Sequence, residues 1–132
     1  RASFFKENYV PLKDNGVLEF LDGDGELFPG IELIQAHGHT KAMQMVKVKG
    51  DNEDMVFVAD FCATSAHVPI PFVMGYDNEP LIGLKERKKF LPQFLEEKTI
   101  LVYEHDAFKQ ASRIKLTEKG YLADDEFVIT KR

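Results

Sequence analysis

The amino-acid sequence predicts a single α+β unit in which a mixed β-sheet is accompanied by one long helix. Three observations carry this. Several runs of strand length, rich in β-branched and aromatic residues, are separated by Asp-Gly, Pro-Gly and Gly-Asp-Asn steps. One segment, residues 84–97, instead spaces its apolar residues with helical periodicity. No repeat, low-complexity tract or Pro/Gly/Ser-rich linker divides the 132 residues, so one continuous unit is expected.

In chain order, residues 17–21 alternate apolar and polar side chains and predict a first strand. Asp22-Gly23-Asp24-Gly25 then stops it, and two Asp-Gly steps between extended segments signal a hairpin. Leu27-Phe28 leads to a second turn at Pro29-Gly30. Residues 31–36 and 42–48 predict strands, with Gly50-Asp51-Asn52 turning the chain. The unbroken apolar run 55–59 predicts a strand covered on both faces. Residues 62–76 contain Pro69 and Pro71 among large apolar residues and read as irregular. Asp77 or Asn78 is then expected to cap a helix, with Pro80 in its first turn. Leu84, Phe90, Leu91, Phe94 and Leu95 trace its buried face, and Pro92 is expected to kink or split it. Lys85, Arg87, Lys88 and Lys89 predict a solvated outer face. Strands follow at 99–103, 112–116 and 126–129, the last two around a Lys119-Gly120 turn.

Composition excludes several classes. With 44% apolar residues, among them 11 Phe, the chain can bury a core and is not a disordered tail. Its 22 Asp+Glu against 17 Lys+Arg give a net charge of -5 with no basic block. That balance argues against nucleic acid or an anionic membrane surface as a partner. No apolar run approaches the roughly 18 residues of a membrane span, so a soluble protein is expected. The single Cys62 excludes an intrachain disulfide framework and fits a reducing, cytoplasmic compartment. Neither a Gly-rich phosphate loop nor Gly-x-Ser-x-Gly occurs, which removes nucleotide and serine-hydrolase readings. Arg1 rather than Met opens the chain and no signal-peptide pattern follows, so the chain is expected to start after processing or trimming.

Chemistry-bearing residues gather where apolar strands end: His37-Gly38-His39-Thr40 after 31–36, Asp60 after 55–59, and Glu104-His105-Asp106 after 99–103. In layered α/β structures, ligands bind where strands run out into loops. Imidazole nitrogen and carboxylate oxygen are ligands of first-row metals, and a carboxylate can bridge two cations. A lone His or Asp after a strand is more often a turn-forming residue; the whole pattern decides.

That pattern is Gly38-His39-Thr40 after a strand, Ala59-Asp60 closing an apolar strand, a Pro-rich loop, a helix, and a strand ending in His105. It resembles the C-terminal half of the metallo-β-lactamase superfamily, whose members are mostly metal-dependent hydrolases, and the resemblance runs from about Phe4 to Leu122. It implies half of an αββα sandwich with metals at one edge between two sheets. By motif, His39 would bind the first metal, Asp60 would bridge both, and His105 would bind the second. The family's Thr-Pro before Gly-His-Thr is Ala36-His37 here, and its Gly before the bridging Asp is Ala59. The family's His-x-His-x-Asp-His signature, which supplies most of both metal sites and lies upstream of everything here, is absent. Residues 1–132 are therefore expected to be one unit, the C-terminal portion of a domain whose N-terminal half is missing.

Other residues have two readings each. His37 fits a supporting or surface role. Cys62, two residues past Asp60, fits a buried apolar position better than a soft ligand. In the family His67 lies in a loop bordering the substrate pocket, where it would hydrogen-bond a carbonyl or phosphoryl oxygen, or it is simply solvated. Phe72, with Val73 and Met74, fits a pocket wall or plain packing. Asp22-x-Asp24-x-Glu26 superficially resembles a calcium loop, but the Gly and final Glu of an EF-hand are misplaced, so a turn is expected.

The expected function of the intact parent is thus metal-dependent hydrolysis. A hydroxide held by two divalent ions, zinc first among candidates, would cleave an ester, lactone, amide or phosphoester. The loop from Ser65 to Tyr76 resembles that of lactonase-like and organophosphate-hydrolase-like members more than that of β-lactamases proper. The alternatives are a non-catalytic binding or assembly protein on the same fold and a di-iron redox relative. The chain alone, with three of the expected ligands, should bind metal weakly or not at all and be inactive. Its uncovered sheet face should drive self-association or contact with the missing N-terminal half.

Overall fold

The computed structural model describes residues 5–129; Phe4, where the resemblance was expected to begin, lies outside them. Helix α1 (Lys6–Asp14) opens the chain. Strands β1 (Gly25–Phe28), β2 (Ile31–Ala36), β3 (Met43–Val48) and β4 (Met55–Phe57) follow. Two short 3₁₀ turns, Ala59–Cys62 and Ser65–His67, lead to helix α2 (Pro80–Glu96). Strands β5 (Ile100–Val102), β6 (Ala111–Thr117) and β7 (Gly120–Phe127) complete one seven-stranded sheet whose spatial order is the chain order.

Every neighbouring pair is antiparallel except β4 and β5, which are parallel and joined across α2. Since β2 is antiparallel to β3 and β3 to β4, strands β2, β4 and β5 run the same way. Their C-terminal ends therefore open on one edge of the sheet.

One face of the sheet is covered. Phe90, Leu91 and Phe94 of α2 pack with Ala36, Met45, Val56, Leu101, Tyr103 and Ile114 of the strands in one core. On α2 the buried positions Gly83, Arg87, Phe90, Leu91 and Phe94 follow the i, i+4, i+7 rhythm of a helix face. Pro92 does not split the helix; its lost backbone bond falls near the C-terminal end, where Phe90, Leu91 and Phe94 already anchor the segment.

The other face is bare around β4. Val56 is fully buried, but Met55 and Phe57 are 38% and 37% exposed, so β4 is covered on one face rather than two. Val48, paired directly with Met55, is exposed as well.

Further expectations need correction. Residues 17–21 form no strand, and Val17 and Phe20 are exposed; alternation alone cannot hold a strand with nothing to pair it. The hairpin turn is Pro29-Gly30, not 22–25, with Gly30 at φ +80° where a side chain would be strained. Asp24 and Glu26 instead accept the backbone N–H groups of Gln35 (2.5 Å) and Gly30 (3.0 Å) as turn residues. Helix α1 had no counterpart in the sequence reading; it contains Pro11 and buries no residue. The last strand is β7, starting at Gly120, not 126–129, where Val128 and Ile129 are exposed.

Candidate metal centre

The common strand direction brings the predicted residues together. His39 follows β2, Asp60 follows β4, and Glu104 and His105 follow β5. Asp60 Oδ2 lies 3.4 Å from His39 Nε2, and Asp60 Oδ1 lies 3.4 Å from His105 Nε2. Each oxygen of one carboxylate thus faces a different imidazole. Both separations exceed the usual 2.7–3.2 Å of an N–H···O bond. They match the distance of about 3.3 Å between two ligands bound tetrahedrally to one ion at about 2.05 Å. Glu104 joins the same cluster: one donor atom each from Asp60, Glu104 and His105 lie within 4.8 Å of one another.

The surrounding loops explain why these side chains stand where they do. His39 Nδ1–H donates to Asp77 Oδ1 at 3.0 Å, and the Asp77 side chain is buried. This leaves Nε2 as the nitrogen turned to Asp60, the arrangement in which a carboxylate orients a metal-binding imidazole. Tyr76 packs edge-on against the same ring. Backbone bonds from Asn78 N to His39 O and from Glu79 N to Gly38 O fasten the two loops together. Neither Asp77 nor Asn78 caps α2; the cap position is Glu79, with no side-chain bond, and Pro80 opens the helix.

Helix α2 fixes the loops from below. Glu86 accepts the N–H groups of His37 (2.7 Å) and Gly38 (3.0 Å). A methyl group at position 38 would overlap the backbone of Gly83, so Gly38 is required by the helix passing over it. One turn on, Arg87 is 2% exposed, against the expectation of a solvated basic face. Its guanidinium donates to the carbonyls of His67 and, at 2.9 Å, Phe61, holding both 3₁₀ turns around Asp60. Burial pulls its pKa down from the arginine value, and the two carbonyls compensate.

The His105 side is held differently. His105 N donates to Ala63 O. Asp106 accepts Ser65 Oγ (2.5 Å) and the N–H groups of Ser65, Phe108 and Lys109 at 2.9 Å. Partial burial opposes its ionisation, but these donors outweigh it and hold the carboxyl well below its usual range.

No family model matches the chain. It is 26% identical over 109 residues to an N-acyl homoserine lactonase of Bacillus cereus, covering 80% of this chain and 41% of the lactonase. An N-acyl homoserine lactonase of Bacillus thuringiensis is 25% identical over 115 residues, covering 85% of this chain and 44% of its own. Among solved structures, the hydrolase AbOPH of the β-lactamase superfamily superimposes with a TM-score of 0.78 at 18% identity, over 96% of this chain and 44% of that one. The chain carries the C-terminal half of the metallo-β-lactamase fold. AidC, a dizinc quorum-quenching lactonase, gives a TM-score of 0.73 at 22% identity over 95% of this chain and 45% of its own. The chain therefore spans less than half the length of the relatives it matches.

Within this half of the metallo-β-lactamase fold, the donor set of imidazole nitrogens and carboxylate oxygens at ion-sized spacing fits divalent metals. The remaining candidates lie outside the cluster. His37 Nδ1 accepts Ala42 N at 3.1 Å and holds the turn. Cys62 is fully buried, and burial pushes its thiol up to about 12, so it is an apolar core residue. His67 shares a hydrogen bond with Thr64 Oγ1 at 2.8 Å, and its pKa is lowered, first by burial and then by Arg87. Phe72 is exposed, while Met74 is buried as plain packing. Sequence reading missed the roles of Asp77, Glu86 and Arg87. The available signal was Gly83, a glycine inside the helix that marks close approach of that face to another segment.

Proposed function

We propose that residues 1–132 are the C-terminal portion of a metal-dependent hydrolase that opens lactones or related esters, amides or phosphoesters. The observation that carries this reading is Asp60, whose two oxygens each stand 3.4 Å from one imidazole. Asp60 would be shared by two divalent ions, zinc by preference, with His39 as a ligand of the first and His105 of the second. When bound, such ions lower the pKa of a water from 15.7 to about 7 and polarise the oxygen of the bond to be cleaved. Asp77 accepts from His39 Nδ1–H and so leaves Nε2 facing Asp60, and Asp60 would supply charge to balance the ions. His67, whose pKa is lowered first by burial, would hydrogen-bond a substrate oxygen, and the exposed Phe72 would offer an apolar surface to the substrate. The lactonase preference rests on the Bacillus relatives.

The chain alone holds the metal pair weakly and does not turn over substrate, because the remaining ligands come from the missing half. The bare surface at Val48, Met55 and Phe57 supports self-association or contact with that half. The test is hydrolysis of an N-acyl homoserine lactone, an aryl ester and a phosphotriester by the full-length protein before and after chelation. Activity lost on chelation and restored by zinc is expected. A folded, metal-free and inactive full-length protein would contradict the reading.

A further inference from the structure

We infer that Glu104 is a metal ligand, which gives the second metal position three donors from this chain alone. The inference rests on the reading of Asp60 and His105 as ligands and adds to it a residue the family pattern does not supply. Glu104 Oε1 stands 4.0 Å from His105 Nε2, and His105 Nε2 stands 3.4 Å from Asp60 Oδ1. Two ligands on one tetrahedral ion at about 2.05 Å are separated by about 3.3 Å. The Asp60–His105 separation matches that spacing, and the Glu104–His105 separation exceeds it by about 0.7 Å. The whole donor triad spans no more than 4.8 Å, and a movement of at most about 1.5 Å by the half-exposed Glu104 side chain brings it within reach of one ion.

Charge points the same way. Asp60 and Glu104 converge on one imidazole, and among the described residues neither has a Lys or Arg partner. Two carboxylates held this close repel each other unless a cation lies between them. Their combined charge equals that of one divalent ion. An imidazole nitrogen and two carboxylate oxygens also meet the three protein ligands found in catalytic zinc sites. The first position lacks this: His39 meets Asp60 and is otherwise bonded to Asp77 through its far nitrogen. The two positions are therefore unequal, and the chain takes up one ion, at Asp60-Glu104-His105.

The experiment is calorimetric titration of the 132-residue chain with Zn²⁺, on wild type, Glu104→Gln, Asp60→Asn and, as a remote acidic control, Glu118→Gln. Circular dichroism checks the fold of each. One zinc per chain is expected, with Glu104→Gln binding at least tenfold more weakly and Glu118→Gln titrating like wild type. A wild-type chain that takes up no zinc, or a Glu104→Gln chain that titrates like wild type, overturns the inference. In the second case weakened binding by Asp60→Asn leaves the Asp60 reading standing, whereas unchanged binding by Asp60→Asn removes both.

Discussion

His39 and His105 approach the same carboxylate at the same 3.4 Å, yet the protein holds them by different means. His39 is locked: Asp77 bonds its far nitrogen, Tyr76 packs on its ring, and Glu86 ties down the turn before it. His105 is half-exposed and held through backbone, by its own N–H to Ala63 and by Asp106 next to it. The difference teaches where preorganisation resides. A side chain bonded at its far ring nitrogen and packed on its ring is aimed before any ligand arrives. One fixed only at its backbone is positioned by what it binds.

Substitutions can break this contrast or sharpen it. Arg87→Met should have the largest effect, because it strands the Phe61 and His67 carbonyls and loosens the turns around Asp60 that both imidazoles share. We expect a loss of about 3 kcal/mol in urea unfolding, against a change within about 0.5 kcal/mol for the exposed neighbour Lys88→Met. Asp77→Ala should act on one side only. In the full-length protein it should weaken the first metal by about tenfold to a hundredfold and leave the second unchanged, read by chelator competition; equal loss at both would erase the contrast.

Asp106→Asn should act on the other side, costing about 1 kcal/mol at neutral pH. The sign follows from its depressed folded-state pKa: the Asp106 contribution is complete above about pH 4, the unfolded value, and is lost as pH falls towards the folded one. Wild type should therefore lose stability below about pH 4 more steeply than Asp106→Asn in acid unfolding curves. The smallest effect is a gain. Ala59 sits at φ +44°, so Ala59→Gly should raise stability by about 0.5 kcal/mol by thermal melting, without touching either metal position.

The positive φ at Ala59 is a conformation that suits Gly, the residue the resemblance led one to expect before Asp60. Strand β2 was legible residue for residue from Ile31 to Ala36, because a stretch of strand length between Pro29-Gly30 and His37-Gly38 has one reading. His39, Asp60 and His105 were legible as ends of such runs, and the parallel course of β2, β4 and β5 is what makes three strand ends into one site. Arg87 was not legible. Its burial depends on carbonyls 20 and 26 residues away, and nothing in a Lys-rich run marks one member as turned inward. Asp77 misled for a related reason: an Asp before a helix suits a cap, and only tertiary contact shows that it serves His39 instead. Strand β7 was displaced because Asp124-Asp125 interrupts the apolar pattern, whereas the pairing with β6 carries the strand past them through a register shift.

If Asp60 joins two metal ions, the metal content of the full-length protein should fall in Asp60→Asn. The neutral amide bridges poorly and balances no charge. The account predicts a fall from two metals per chain to one or fewer, with the fold retained by circular dichroism. Two metals per chain in the variant would contradict it.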